Sequence, residues 1–280
     1  ALEEVTCLGL HAAPLEEMMP HLAPGARLFV LLRDGRAPAA LAAFLSARGF
    51  GESVVHVLEA VGGPRARTRH TTAQGFDLTD IITPCMVALE LAGGVALPQT
   101  PGLRDDLFAH DGQITKAPIR ALTLAALAPR RGERLWDIGA GSGSVSIEWC
   151  RAGGTAIAME AKAARCENIR VNAARFGVSR VLTLVEGRAP EALTNLPAPD
   201  AVFIGGGADA ALVETVWAAL APGARLVLNA VTLETEALVM QAQAAKGGTL
   251  LRVELASAAP LGRMRGWQAA RPIVQWSVTR

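Results

Sequence analysis

From residue 134 onward, short apolar runs alternate with longer segments in which apolar residues recur every three or four positions, the rhythm of a parallel sheet with crossover helices. The runs predict strands at 134–138, 155–160, 181–186, 201–205, 224–230, 249–255 and 273–278. The intervals predict helices at 144–151, at 163–176 closed by Gly177, at 208–220 ahead of Pro222-Gly223, and at 234–245 ahead of Gly247-Gly248. A further amphipathic segment, 117–127, precedes the first of these strands. Earlier in the chain, 28–32 and 54–58 read as strands and 38–48 as a helix with Pro38 in its first turn and Gly49 at its end. Residues 94–106, carrying Pro98, Pro101 and Gly102, predict a linker. The expected organisation is a first unit over 1–93, that linker, and an α/β domain over 107–280, with no internal repeat.

Between the strand at 134–138 and the following helix the chain reads Asp137-Ile-Gly-Ala-Gly-Ser-Gly143. Glycines at 139, 141 and 143 remove the side chains that would hold a ligand off the backbone, and the amides of the next helix open into the same space. A dinucleotide fingerprint would need its third glycine one position later, where this chain has Ser144. Asp137 is a poor neighbour for a pyrophosphate and a good one for an ammonium group, such as that of S-adenosylmethionine. The next strand ends in Glu160, 23 residues after Asp137, where a carboxylate can accept the paired hydroxyls of a ribose.

Length and composition change this picture little and exclude a good deal. The 280 residues suffice for two domains, and 51% hydrophobic with 19% charged residues is the balance of a compact globular chain. A formal net charge of +1, scattered cations and an absence of Tyr argue against a nucleic-acid partner. Cys7, Cys85, Cys150 and Cys166 have neither zinc-site nor disulfide spacing, so no metal is expected and the thiols read as free, in a reducing cytoplasm. The most apolar stretch, 86–97, is interrupted by Glu90, Gly93 and Gly94, so no membrane span is expected. The first residues have no signal-peptide pattern, and the absence of an initiator Met reads as processing or truncation.

The glycine turn and Glu160 together resemble a class I methyltransferase site, and that resemblance implies roles for further positions. Gly187, Arg188 and Ala189 follow the third strand of the domain, with Arg188 where an acid often faces adenine, which leaves that contact to the backbone. Gly205, Gly206 and Gly207 end the fourth strand, at the edge where an open sheet presents its reacting centre, and leave room for a bulky acceptor. The polar and aromatic residues typical of nucleobase amino-group methyltransferases are missing there, and Pro84-Cys85 reads as a buried thiol rather than a nucleophile. Gln113, Thr115, Lys116 and Arg120 lie just before and within the helix at 117–127, on a segment able to fold over a cofactor. Arg263 and Arg265, on an expected loop between the last two strands, suit bidentate carboxylate binding. No side chain is assigned as catalytic.

The glycine turn resembles motif I of class I methyltransferases. Together with Gly112-Gln-Ile-Thr-Lys116, Glu160, Phe203-Ile-Gly-Gly-Gly207 and Arg271-Pro-Ile-Val274, it resembles the decarboxylating precorrin methyltransferases of cobalamin biosynthesis over about 103–280. Arg33-Asp-Gly35, Arg48-Gly-Phe-Gly51 and Glu59-Ala-Val-Gly-Gly-Pro64 resemble the second lobe of a tetrapyrrole methylase, expected here without its first lobe or that lobe's activity. The resemblance implies a seven-stranded Rossmann-like sheet with an antiparallel last strand. It also implies methylation at meso carbon C-15 of a precorrin, with loss of carbon dioxide from the ring C acetate, and a homo-oligomer, with tetramers expected.

It assigns Gln113, Thr115, Asp137, Gly139, Gly141, Ser142, Gly143, Glu160, Gly187, Arg188, Ala189 and Gly205 to S-adenosylmethionine. Lys116, Arg120, Gly206, Gly207, Arg263 and Arg265 are assigned to the tetrapyrrole. A tRNA adenine methyltransferase, a protein carboxyl methyltransferase and a non-catalytic cofactor-binding module stay open as alternatives.

Overall fold

A computed structural model describes residues 4–280. The chain divides into two compact units, Ala1–Pro98 with Arg175–Gly177, and Gln99–Ala174 with Val178–Arg280.

In the first unit, strands β1 (Val5–Gly9), β2 (Arg27–Leu31), β3 (Val54–Glu59), β4 (Arg67–Thr72) and β5 (Cys85–Glu90) form one sheet in the order β1-β2-β5-β3-β4. Helix α1 (Ala37–Ser46) begins with Pro38 in its first turn. Leu28, Val30, Val55, Val57, Val87 and Leu89 alternate along three strands and share a buried cluster with Leu41 and Leu45 of α1. Each such side chain adds roughly 1.5–3 kcal/mol on full burial.

β2, α1 and β3 follow the hydrophobic pattern, whereas β1, β4 and β5 were not foreseen. β4 reads Arg-Thr-Arg-His-Thr-Thr and has no apolar face. It pairs antiparallel with β3 along the backbone, and ion pairs stand in for apolar packing: Arg67 Nε and Nη2 donate to Glu59 at 3.0 and 2.7 Å, and Arg69 Nε donates at 2.9 Å. The amide of Ile82 adds a bond at 2.7 Å. Burial alone would raise the Glu59 carboxyl, but Arg67, that amide and Arg69 together hold it down at about 2.

The second unit opens with α2 (Ala117–Leu127) and continues β6 (Arg134–Ile138), α3 (Ser144–Arg151), β7 (Thr155–Glu160), α4 (Ala163–Arg175) and β8 (Leu182–Glu186). It proceeds through β9 (Ala201–Ile204), α5 (Ala210–Ala219), β10 (Arg225–Ala230), α6 (Leu233–Lys246) and β11 (Thr249–Val253). β12 (Ala256–Leu261), β13 (Met264–Ala269) and β14 (Ile273–Thr279) complete it. Seven strands form a sheet in the order β11-β14-β10-β9-β6-β7-β8, with β14 antiparallel to both its neighbours.

The central strands are buried on both faces, which explains why β9 is an uninterrupted apolar run. Trp136, Ile138, Val202, Ile204, Leu226, Leu228 and Trp276 anchor the core, and the Trp276 indole donates to Gly247 O at 2.9 Å. Asp209 caps α5 by accepting from the amide of Leu212 at 2.8 Å, and Thr232 caps α6 in a capping box with Thr235. The segment expected as a loop between the last two strands is a separate two-stranded ribbon of β12 and β13. Both of its faces are largely exposed, so no alternation of polar and apolar residues marks it.

Candidate active site

The site forms where β6 runs into α3. Gly139, Gly141 and Gly143 all have left-handed backbone angles, φ +70°, +60° and +73°, which side-chain-bearing residues rarely adopt. Close approaches add a second reason. A Cβ on Gly139 would lie 2.8 Å from Gly206 O, and one on Gly143 would lie 3.2 Å from Ile169 Cγ1. The first contact brings the glycine turn against the loop after β9. The second seats α4 on the turn, so Gly143 serves helix packing.

Two buried polar atoms of this turn lack partners. Asp137 Oδ2 accepts from Ser146 N at 3.1 Å and Ser146 Oγ at 2.6 Å, while Asp137 Oδ1 and Ser142 Oγ have no hydrogen-bond partner among the described residues. Burial pushes the Asp137 carboxyl up to about 6 against the two bonds from Ser146, and the charge of Glu160 adds to the rise. Glu160, at the end of β7, is held only by amides: Oε1 accepts from Ala161 N and Lys162 N at 2.9 Å, and Oε2 from Gly141 N at 2.9 Å. An orphaned buried acceptor and a carboxylate without a cation suit a ligand that supplies an ammonium group and hydroxyls. S-adenosylmethionine has both.

The neighbouring loops converge on these groups. Gly187 N donates to Glu160 O at 3.0 Å, which sets Gly187, Arg188 and Ala189 beside the end of β7. Gly205 N donates to Ile138 O at 2.9 Å and begins the open Gly205–207 turn. Across the glycine turn lies the segment ahead of α2: Gln113 O would meet a Cβ on Gly141 at 3.3 Å. Asp111 ties that segment to Arg165 at 2.8 Å and accepts from the amide of Gln113 at 3.0 Å.

Buried Asn172 of α4 is a fastener that the sequence reading missed. It exchanges hydrogen bonds with both backbone groups of Ala109, at 2.7 and 2.8 Å, and donates to Ser142 O at 3.0 Å. Its signal was an Asn placed among the apolar positions of a helix, where an amide is disfavoured unless it finds partners.

Arg120 does not take the role expected of it. The side chain is 0% exposed and gives its donors to Glu148 at 2.6 Å, Asp105 at 3.2 Å, Thr115 O and Leu103 O. Glu148 also accepts from Gly102 N at 2.6 Å and Leu103 N at 3.0 Å. The group is an interior tie with four of its five N–H donors engaged, and its complete burial keeps it from a tetrapyrrole carboxylate. Lys116 stays exposed, 3.6 Å from Asp105, and Thr115 contributes its carbonyl to Arg120.

Arg263 occupies the turn of the ribbon and Arg265 lies on β13; both are exposed, and neither has a hydrogen-bond or ion-pair partner among the described residues. The ribbon joins β11 to β14, whose Val274 is paired with Ala230 at the carboxyl end of β10. It therefore leaves the sheet at the edge that carries the glycine turn. Among the described residues no three His, Cys, Asp or Glu side chains cluster as metal ligands, and no helix is long and apolar enough to cross a membrane.

This strand order, with a glycine turn after the central strand and an acid ending the next, defines a class I S-adenosylmethionine-dependent methyltransferase domain. A tRNA (m1A58) methyltransferase from Aquifex aeolicus shares the fold at 14% identity and a TM-score of 0.50, over 82% of this chain and 97% of that one. The chain belongs to the precorrin methyltransferase family, whose model, described as "Precorrin methyltransferase domain", matches residues 106–280.

A Sinorhizobium protein named precorrin-6Y C(5,15)-methyltransferase [decarboxylating] is 48% identical over 286 aligned residues, covering 100% of this chain and 69% of that protein. A Mycobacterium tuberculosis H37Rv protein of the same name is 44% identical over 93% of this chain and 67% of its own length. The crystal structure of the C-terminal domain of precorrin-6Y C5,15-methyltransferase from Rhodobacter capsulatus is similar at 61% identity and a TM-score of 0.65. It covers 66% of this chain and 100% of that one.

Proposed function

We propose that residues 106–280 methylate meso carbon C-15 of a precorrin from S-adenosylmethionine and remove the ring C acetate carboxyl as carbon dioxide. The observation that carries this reading is the contact between Gly139 and Gly206, which brings an ammonium- and hydroxyl-seeking turn against a loop with no side chains. When bound, the cofactor supplies an electrophilic methyl group on a sulfonium.

In this reading Asp137 Oδ1 accepts from the ammonium group, Glu160 accepts the ribose hydroxyls, and the backbone of Gly187 to Ala189 borders the base. Ser142, Gln113, Thr115 and Gly205 line the remaining cofactor surface. Gly206 and Gly207 admit the macrocycle, and Lys116, Arg263 and Arg265 hold its peripheral carboxylates. The acceptor carbon is enamine-like and already nucleophilic, so the protein contributes chiefly by positioning. In the decarboxylation the bond from the acetate methylene to its carboxyl carbon breaks. Its electron pair enters the conjugated macrocycle, carbon dioxide leaves, and the methylene takes up a proton to become a methyl group. An arrangement that holds the other carboxylates on cations and keeps this one dry favours its loss.

The first unit enters the same proposal as a lobe of the tetrapyrrole methylase type. The test is to incubate the full chain with methyl-labelled S-adenosylmethionine and a C-5-methylated precorrin. Label should enter the tetrapyrrole with release of carbon dioxide; label retained on the cofactor would overturn the reading.

A further inference from the structure

We propose that Val231 and Leu233 form the apolar wall of the acceptor site, a reading that rests on the proposed precorrin activity and adds residues to it. The cofactor groups follow β6, β7 and β8, on one side of the point where the strand order reverses. The turns after β9 and β10 lie on the other side. Parallel pairing of Leu228 with Ile204 sets the residues after β10 beside Gly205–207.

Val231 is 53% exposed and Leu233 is 79% exposed, and outside the ribbon Leu233 is the most exposed large apolar residue of the second unit. This turn is well fastened, because Thr232 accepts from Thr235 N at 3.3 Å and Thr232 O from Glu236 N at 2.8 Å. The two apolar side chains are therefore presented by a capped helix start. Beside them, no atom lies within 4 Å of where a Cβ on Gly206 or Gly207 would sit.

An apolar wall next to an open glycine surface suits the flat, conjugated body of a tetrapyrrole. Charge selects its orientation. Glu234 and Glu236 follow directly in the first turn of α6 and turn peripheral carboxylates away from this side, whereas the unpartnered cations Arg263 and Arg265 belong to the ribbon. The wall thus meets the ring and the ribbon meets its acids.

The experiment uses the full chain carrying Val231→Ser with Leu233→Ser. The precorrin KM should rise about tenfold, with kcat, S-adenosylhomocysteine affinity by calorimetry and melting temperature near those of the parent. Leu233→Met should restore most of the loss in the single-site background. Met240→Ser, which removes a similarly exposed apolar side chain from the body of α6, should leave KM unchanged. A double variant with KM within twofold of the parent would overturn the proposal. So would a changed sedimentation coefficient with unchanged KM, which would assign the two side chains to contact between copies. A parent chain that methylates no precorrin would instead overturn the functional reading beneath it.

Discussion

Glu148 on α3 and Asp137 on β6 are both buried carboxylates, and their surroundings treat them in opposite ways. Glu148 meets the Arg120 guanidinium and two amides. Asp137 meets only Ser146, and one of its oxygens is left without a partner. The first region is complete by itself and ties the segment ahead of α2 to the domain. The second has an acceptor to spare, which the proposed ligand would fill. Saturation is what distinguishes the two, since both are buried carboxylates.

The largest effect should come from breaking the saturated region. Arg120→Met leaves buried Glu148 without its cation and should cost about 3–5 kcal/mol, read as a lower midpoint in urea unfolding. Next is Glu160→Ala, which removes the proposed acceptor of the ribose hydroxyls. Hydrogen bonds to a charged group contribute about 1.5–3 kcal/mol each before water compensates, so calorimetry should show S-adenosylhomocysteine binding weakened at least tenfold. Unchanged affinity would place the ribose elsewhere.

Asp137→Asn should act with the opposite sign to Arg120→Met on stability. The folded-state pKa of about 6 lies above the ordinary 3.8, so the fold favours the protonated form and its contribution is lost as pH rises from about 4 through 6. Ionisation at neutral pH then costs about 3 kcal/mol. Asparagine removes that cost but leaves an amide N–H unpaired, at about 2 kcal/mol. The net expectation is a gain of about 1 kcal/mol in unfolding stability at pH 7, with weaker S-adenosylhomocysteine binding. The parent's affinity should fall as pH drops through about 6 and the variant's should not. A destabilised variant with normal affinity would break the comparison.

The smallest effect on folding belongs to the ribbon. Replacing Arg263 and Arg265 by Gln should shift stability by less than about 0.5 kcal/mol, leave S-adenosylhomocysteine affinity unchanged and raise the precorrin KM. An unchanged KM would remove the ribbon from the acceptor site.

The same contrast explains what could be read from the sequence. The glycine turn was legible because it depends on backbone angles, and the position of Glu160 because it ends a strand, both local properties. The central strands of the seven-stranded sheet were legible because burial on one or both faces writes short apolar runs. β4 was not, since its inward residues Arg67 and Arg69 meet Glu59 instead of a hydrophobic core. Arg120 looked like a surface cation because its partners Glu148 and Asp105 are distant in sequence. For Asn172 the sequence carries the signal of a buried helical amide but not its partners, because Ala109 and Ser142 are distant in sequence.

In the proposed function, one site joins methyl transfer to loss of a carboxyl group. Mass analysis of the tetrapyrrole after a single turnover, with methyl-labelled S-adenosylmethionine and a C-5-methylated precorrin, tests it most directly. The account predicts a product that has gained one labelled methyl group and lost one carbon dioxide. A product methylated with its ring C acetate intact, or decarboxylated without label, would contradict it.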